Sequence, residues 1–257
     1  MKKLLSIFIF FCVTANAETM FLAGPYGGFS SNTQNLENNI KLEETASVFG
    51  LYTQVINPEL FQINNFLYHS PDINDTKITG NHFIADFYPY SFTIGSLAVG
   101  AGMNYLSTDT SRDDFKMDQS VVTPYARLGQ NVIFGESTNL RIFPWIGFGK
   151  KYSESEGSFT FSPAEGAPST TVPLESDTDE NVFLTGINLH FTFDRYFCVQ
   201  FKYLIDRNLK TETNNYSLSA ILNAYVHKHA GISYRFMYNE YTTGEDIINM
   251  VGIFYKY

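Results

Sequence analysis

Four successive stretches in the last third of the chain alternate apolar and polar residues with a period of two. No other feature constrains the fold as strongly. In FLTGINLHFTF, Phe183, Ile187, Leu189, Phe191 and Phe193 share one face, and Gly186, Asn188, His190 and Thr192 share the other. YFCVQFKYLID sets Phe197, Val199, Phe201, Tyr203 and Ile205 against Gln200, Lys202 and Asp206. NYSLSAILNAYVH sets Leu218, Ala220, Leu222, Ala224 and Val226 against Ser217, Ser219, Asn223 and Tyr225. AGISYRFMYN sets Ile232, Tyr234, Phe236 and Tyr238 against Ser233, Arg235 and Asn239. A period of two is the side-chain repeat of a β-strand. One apolar face and one polar or small face suit a barrel with lipid outside and water inside. A soluble sandwich alternates too, but its outward face would carry more Lys and Glu.

The start of the chain predicts export. MKKLLSIFIFFCVTANA has a basic start at Lys2 and Lys3, an apolar run from Leu4 to Val13, and small residues at Ala15 and Ala17. This is the pattern of a secretory signal cut after Ala17. The run is too short to cross a bilayer as a helix. A lipoprotein signal needs a small residue before Cys12, where Phe11 stands. The expected mature chain is residues 18–257.

Removing residues 1–17 leaves 15 basic and 26 acidic side chains, a net charge of about −11. That balance excludes a nucleic-acid partner, which needs a basic surface. Only Cys198 remains, so an intrachain disulfide is excluded. Mean hydropathy is slightly negative, and no stretch after the signal is continuously apolar over about 18 residues, which excludes a helical membrane protein. Aromatic residues nevertheless make up 16% of the chain. An exported, aromatic-rich chain without disulfides or apolar helices has the profile of an outer-membrane barrel.

The patterning predicts strands over 19–29, 44–56, 59–68, 78–88, 92–106, 119–134, 139–152, 181–193, 196–206, 216–227, 230–241 and 246–257. Twelve is an even number, so both termini are expected on the periplasmic side. The first three strands are the least regular, which leaves ten or fourteen as alternatives. Short connectors (INPE, YPYS, FGEST, DR, HKHA) alternate with long ones over 30–43, 69–77, 107–118, 153–180 and 207–215. Short periplasmic turns and longer outer loops are the usual barrel asymmetry.

The chain ends MVGIFYKY, in mid-strand on an aromatic residue. Val251, Ile253, Tyr255 and Tyr257 form one row of this strand, and Met250, Gly252, Phe254 and Lys256 the other. A bare edge of this kind invites aggregation, so the strand is expected to close the barrel against the first. The ending resembles the C-terminal assembly signal of bacterial outer-membrane barrels: a glycine, two residues, an aromatic, one residue, a terminal aromatic. Gly252, Tyr255 and Tyr257 match it, whereas Met250 stands where that signal usually has a polar residue. TPYARLG and FPWIGFG, twenty residues apart, are similar to the Pro-aromatic-x-x-x-Gly strands of small OmpA-like barrels, which usually have eight strands. Pro124 and Pro144 each lack a ladder donor and are expected near strand ends or bulges.

Face assignment puts Arg127, Arg141, Lys151, Lys202, Arg235 and Lys256 in the lumen, with His82 and His190, against the acids Asp86 and Asp206. Ser96, Ala98, Gly100, Gly102 and Asn104 add a row of small residues that leaves space. The bases set a positive potential, and a narrow path for small anionic solutes is the expectation. The competing expectation is a plugged interior in which these bases pair with Asp86, Asp206, Tyr125 and backbone groups. Twelve-stranded barrels with basic lumens include channels for acidic oligosaccharides, a likeness of size and charge alone.

Acidic residues gather in the expected outer loops. Asp109, Asp113, Asp114 and Asp118 lie in one. Glu154, Glu156, Glu165, Glu175, Asp177, Asp179 and Glu180 lie in the largest, 153–180, whose Ser, Thr, Pro and Glu content predicts a solvated loop. DTDEN starts like a calcium loop, but Val182 and Asn188 stand where Gly and Glu are required, which rejects an EF-hand.

No catalytic set emerges. Outer-membrane lipid hydrolases resemble one another in a His-x-Ser pair on one strand face, whereas His69 and Ser70 are adjacent and point to opposite faces. A rim protease would need Asp and His together, but His190 is predicted low on its strand, away from Asp206 and Asp72. His227 and His229 form an H-x-H pair in a turn, read as solvated. An autotransporter barrel also has twelve strands, but with no passenger domain ahead of this one that reading is disfavoured.

The sequence therefore predicts an all-β, transmembrane, antiparallel up-and-down β-barrel over residues 18–257, in the bacterial outer membrane. Its expected function is passive passage of small polar or anionic solutes. The alternative is a structural or adhesive surface barrel with a closed lumen and acidic loops. The expected partners are outer-membrane lipid, lipopolysaccharide, the assembly machinery and the solutes, with no cofactor, metal or nucleic acid.

Overall fold

The computed structural model describes residues 19–35, 41–57, 59–73, 75–111, 114–135, 138–161, 169–193, 196–241 and 244–257. The expected signal peptide, Asp113, Glu165 and the turn at Asp194–Arg195 lie outside the described residues.

Twelve strands follow in order: β1 Met20–Asn35, β2 Lys41–Asn57, β3 Phe61–Ile73, β4 Thr76–Phe92, β5 Gly95–Ser111, β6 Phe115–Phe134, β7 Thr138–Phe161, β8 Thr170–Phe193, β9 Phe197–Asn208, β10 Asn214–His227, β11 Ala230–Tyr241 and β12 Gly244–Lys256. Each pairs antiparallel with its chain neighbours, and β1 pairs with β12, so the sheet is a closed barrel. Closure reaches the last residue: Phe21 and Tyr257 exchange backbone hydrogen bonds of 3.1 and 2.8 Å. The final strand has no free edge.

Alternation sorts the side chains into two environments. Val99, Leu128, Ile146, Phe148, Ile187, Phe201, Leu222, Ile232, Val251 and Ile253 all point outward and are exposed. In water so large an apolar surface would drive association. Around a barrel it matches the hydrocarbon of a bilayer. The alternate positions point inward and pack into two clusters. One joins Tyr26, Tyr52, Phe66, Tyr68, Met250 and Phe254, and the other joins Tyr88, Tyr125, Phe143, Trp145, Val182 and Leu184.

Two expectations change. The long connectors are shorter than the sequence suggested, because most of each except 207–215 is ladder. Segment 153–180, expected to be a loop, is largely a hairpin: β7 and β8 stay in register from Tyr152↔Asp179 to Phe161↔Thr170. Beyond the lipid band both faces of a strand are wet, so the alternation fades while backbone pairing continues. The prolines also differ from expectation. Pro124 and Pro144 lie within β6 and β7, not at ends or bulges. The β6–β7 ladder is interrupted between Val122↔Tyr152 and Tyr125↔Gly149, and again between Gly129↔Trp145 and Val132↔Ile142, with the register unchanged. Pro25 sits in a similar gap of the β1–β12 ladder, between Ala23↔Tyr255 and Tyr26↔Gly252. A missing N–H opens the ladder on one side and is tolerated because the other side still pairs.

Candidate functional site

Two spaces in the lumen are bordered by the described residues. The larger is a cavity of about 680 Å³ that reaches the rim opposite the termini at Thr211 and Thr213. The smaller, about 30 Å³, lies toward the termini and is bordered by Gln62, Asn131, Arg141, His190 and Gln200 among others. It has room for about one water molecule. Asn64, Ile84, Arg127, Asn188 and Lys202 border both spaces and separate them.

Of the ten titratable residues assigned to the lumen, nine border these spaces. His82, Lys151, Asp206 and Arg235 border the large cavity, Asp86, Arg141 and His190 the small one, and Arg127 and Lys202 both. Lys256, also read as inward, lies with its Nζ 5.5 Å from the Tyr225 ring. Two further acids border the cavity: Glu180, hydrogen-bonded by Asn208, and Asp246, hydrogen-bonded by Asn32. Asp206, Glu180 and Asp246 therefore sit toward the mouth with Lys151, whereas Arg127, Arg141, Lys202 and Arg235 lie deeper with Asp86.

At the floor, Arg127 and Asp86 form a buried bidentate pair. Arg127 Nε donates to Asp86 Oδ1 at 2.7 Å, and Nη2 donates to Oδ2 in parallel. The guanidinium also lies 5.2 Å from the Phe143 ring and 4.9 Å from the Trp145 ring. Arg235 is held differently. Rings of Phe66, Tyr52 and Tyr26 surround its guanidinium at 3.9, 4.6 and 5.4 Å. It has no carboxylate partner among the described residues, and its Nε and Nη2 make no hydrogen bond. Each ring contributes on the order of 2 kcal/mol when the contact is desolvated. Burying an ion costs several kcal/mol even after relaxation. The rings offset part of that cost and leave the N–H groups unsatisfied. The cage is itself braced: Tyr26 Oη donates to Ser233 Oγ at 2.8 Å, which donates to Asn223 Oδ1 at 2.6 Å. Tyr52 Oη and Gln54 Nε2 both donate to Asn64 Oδ1, at 3.1 and 2.5 Å.

Sequence reasoning missed these aromatic walls. It reserved apolar residues for the lipid face, yet Tyr26, Tyr52, Phe66 and Trp145 occupy inward positions, beside the Tyr125 it had placed in the lumen. The signal lay in the irregularity of the first three strands, which are apolar on both faces. A second signal is glycine. Trp145 lies over Gly186, its cross-strand partner, where a Cβ would come within 2.8 Å of the indole. Tyr26 covers Gly252 in the same manner, with Cδ1 2.7 Å from where a Cβ would be. Of the residues matched to the assembly signal, Gly252 is thus packed inside, while Tyr255 and Tyr257 point outward and are exposed.

Cys198 is buried, with Sγ 2.8 Å from His190 Nε2. His82 Nδ1 and Asn104 Oδ1 share a hydrogen bond of 2.9 Å. Among the described residues no group of three or more His, Cys, Asp or Glu could hold a metal ion.

The architecture is similar to two solved translocators. The translocator domain of the autotransporter NalP from Neisseria meningitidis is 13% identical, with 99% of this chain and 94% of that one covered and a TM-score of 0.51. The transport unit of the autotransporter AIDA-I from Escherichia coli is 11% identical, with 95% and 92% covered and the same TM-score. The fold is that of an outer-membrane β-barrel. No protein-family model matches the chain, and no curated protein matches it.

Proposed function

We propose that this barrel is a passive channel of the bacterial outer membrane for small polar solutes, with anions favoured at its floor. In this reading residues 1–17 are the export signal, both termini face the periplasm, and the large cavity opens outward. One observation carries the proposal: the spaces on the two sides of the floor share bordering side chains, the polar ones among them being Asn64, Arg127, Asn188 and Lys202. Arg127 is pinned there by Asp86. Lys202 has no ion-pair partner among the described residues and a flexible stem, so it is the part of the floor best able to move aside.

The test is conductance of the refolded protein in a planar bilayer under a salt gradient. Steady anion-selective steps, with selectivity reduced by Arg235→Ala or Arg127→Ala, are expected. Silence from folded protein would end the channel reading. It would favour a closed surface barrel, for which the acidic outer face of the β7–β8 hairpin is the supporting observation.

A further inference from the structure

We infer that the cavity floor is a binding subsite for a small organic oxyanion, a carboxylate or a phosphate, so that solutes are held there and do not merely diffuse past. The ligand class rests on the channel reading above.

Unmatched donors point to such a ligand. Three side chains border the large cavity with nitrogen atoms that have no hydrogen-bond partner among the described residues: Arg235 through Nε and Nη2, Arg127 through Nη1, and Trp145 through Nε1. They are 4%, 5% and 6% exposed. Buried polar groups are normally satisfied, and each exception calls for a partner. All four nitrogens are donors only, since neither guanidinium nor indole nitrogen can accept. A ligand rich in acceptors satisfies them, and a neutral hydroxyl ligand does so poorly. Charge agrees. Asp86 neutralises Arg127, whereas Arg235 and Lys202 have no carboxylate counterpart among the described residues. Rings cover the Arg235 guanidinium and leave N–H groups on its edge free, and that edge is what carboxylates and phosphates bind in a fork. One unpartnered acceptor also borders the cavity, Asp206 Oδ1.

Trp145 is the protein's single tryptophan, so its fluorescence reports on the subsite directly. The full-length refolded barrel is titrated with gluconate, inorganic phosphate and glucose at constant ionic strength. A saturable change with gluconate, with phosphate or with both is expected, and which of them saturates names the oxyanion. Arg235→Gln should raise the half-saturating concentration at least about tenfold, Arg235→Lys should raise it less, and Lys228→Gln in a distant exposed turn should leave it unchanged. No saturation with either anion overturns the inference, and so does glucose saturating as gluconate does. Titration of the wild-type protein is decisive by itself, so a variant that fails to fold does not obscure the outcome. The channel reading fails separately: a silent bilayer with saturable quenching removes the channel and keeps the subsite, and a conducting bilayer without saturation does the reverse.

Discussion

Asp86 and Arg127, 41 residues apart in the chain, meet inside the barrel through two parallel hydrogen bonds. The pair is well sheltered, so removing one partner strands the other charge. Asp86→Ala is expected to lower stability by about 3–5 kcal/mol. Combining Asp86→Leu with Arg127→Met should recover most of that loss. Urea unfolding of the barrel in lipid vesicles measures both.

Gly252 belongs to the expected assembly signal and also lies beneath the Tyr26 ring. Gly252→Ala should therefore destabilise the purified barrel, by the roughly 1–3 kcal/mol typical of overpacking. Tyr257 is 82% exposed. Tyr257→Ala should impair insertion in cells and leave refolding in detergent nearly unchanged. Heat-modifiable mobility on gels, compared between cells and refolded protein, separates the two roles.

The projecting β7–β8 hairpin carries like charges in register. Asp118 faces Glu156, which faces Glu175, and Glu154 faces Asp177. Like charges directly opposite destabilise a sheet. Glu156→Gln should slow proteolysis of the β7–β8 hairpin at neutral pH. One contact works the other way: beyond the lipid band, the Lys150 ammonium holds the Asp179 carboxyl below its usual range. That contribution is full above the ordinary carboxylate pKa and is lost as pH falls through the lowered value. As pH falls through that lowered value and Asp179 is protonated, cleavage should speed up.

Cys198 is buried against His190 inside the barrel. A maleimide should label it only after unfolding, and the folded protein should remain unlabelled over hours. Fast labelling of folded protein would show that the inner half of the lumen is open to molecules of that size.

The lipid-facing half of this fold was legible because one physical demand, apolar outward and polar inward, repeats over β8 to β11. Phe201 and Lys202 are adjacent in sequence, and their chemistry alone places them on opposite faces. The strand ends were not legible where that demand stops: Glu154 and Asp177 sit in strands whose two faces meet the same solvent. Within the lumen, charged residues such as Arg235 were legible as interruptions of apolar sequence. Its aromatic cage was not, since Tyr52 and Phe66 read equally well as lipid-facing residues. The bond between Asp86 and Arg127 depends on how strands far apart in sequence are staggered, which no local pattern records.

The extension of β7 and β8 makes the barrel lopsided. β8 continues from Thr170 to Asn181 before its first rung with β9 at Val182↔Asn208. Twelve residues of strand span about 40 Å at most. The cavity mouth is thus walled on one flank, and its low side lies along β9 to β12, around Thr211 and Thr213. A molecule arriving from the walled flank must first clear a parapet of carboxylates. The cavity is therefore most open to approach from one side within the plane of the membrane.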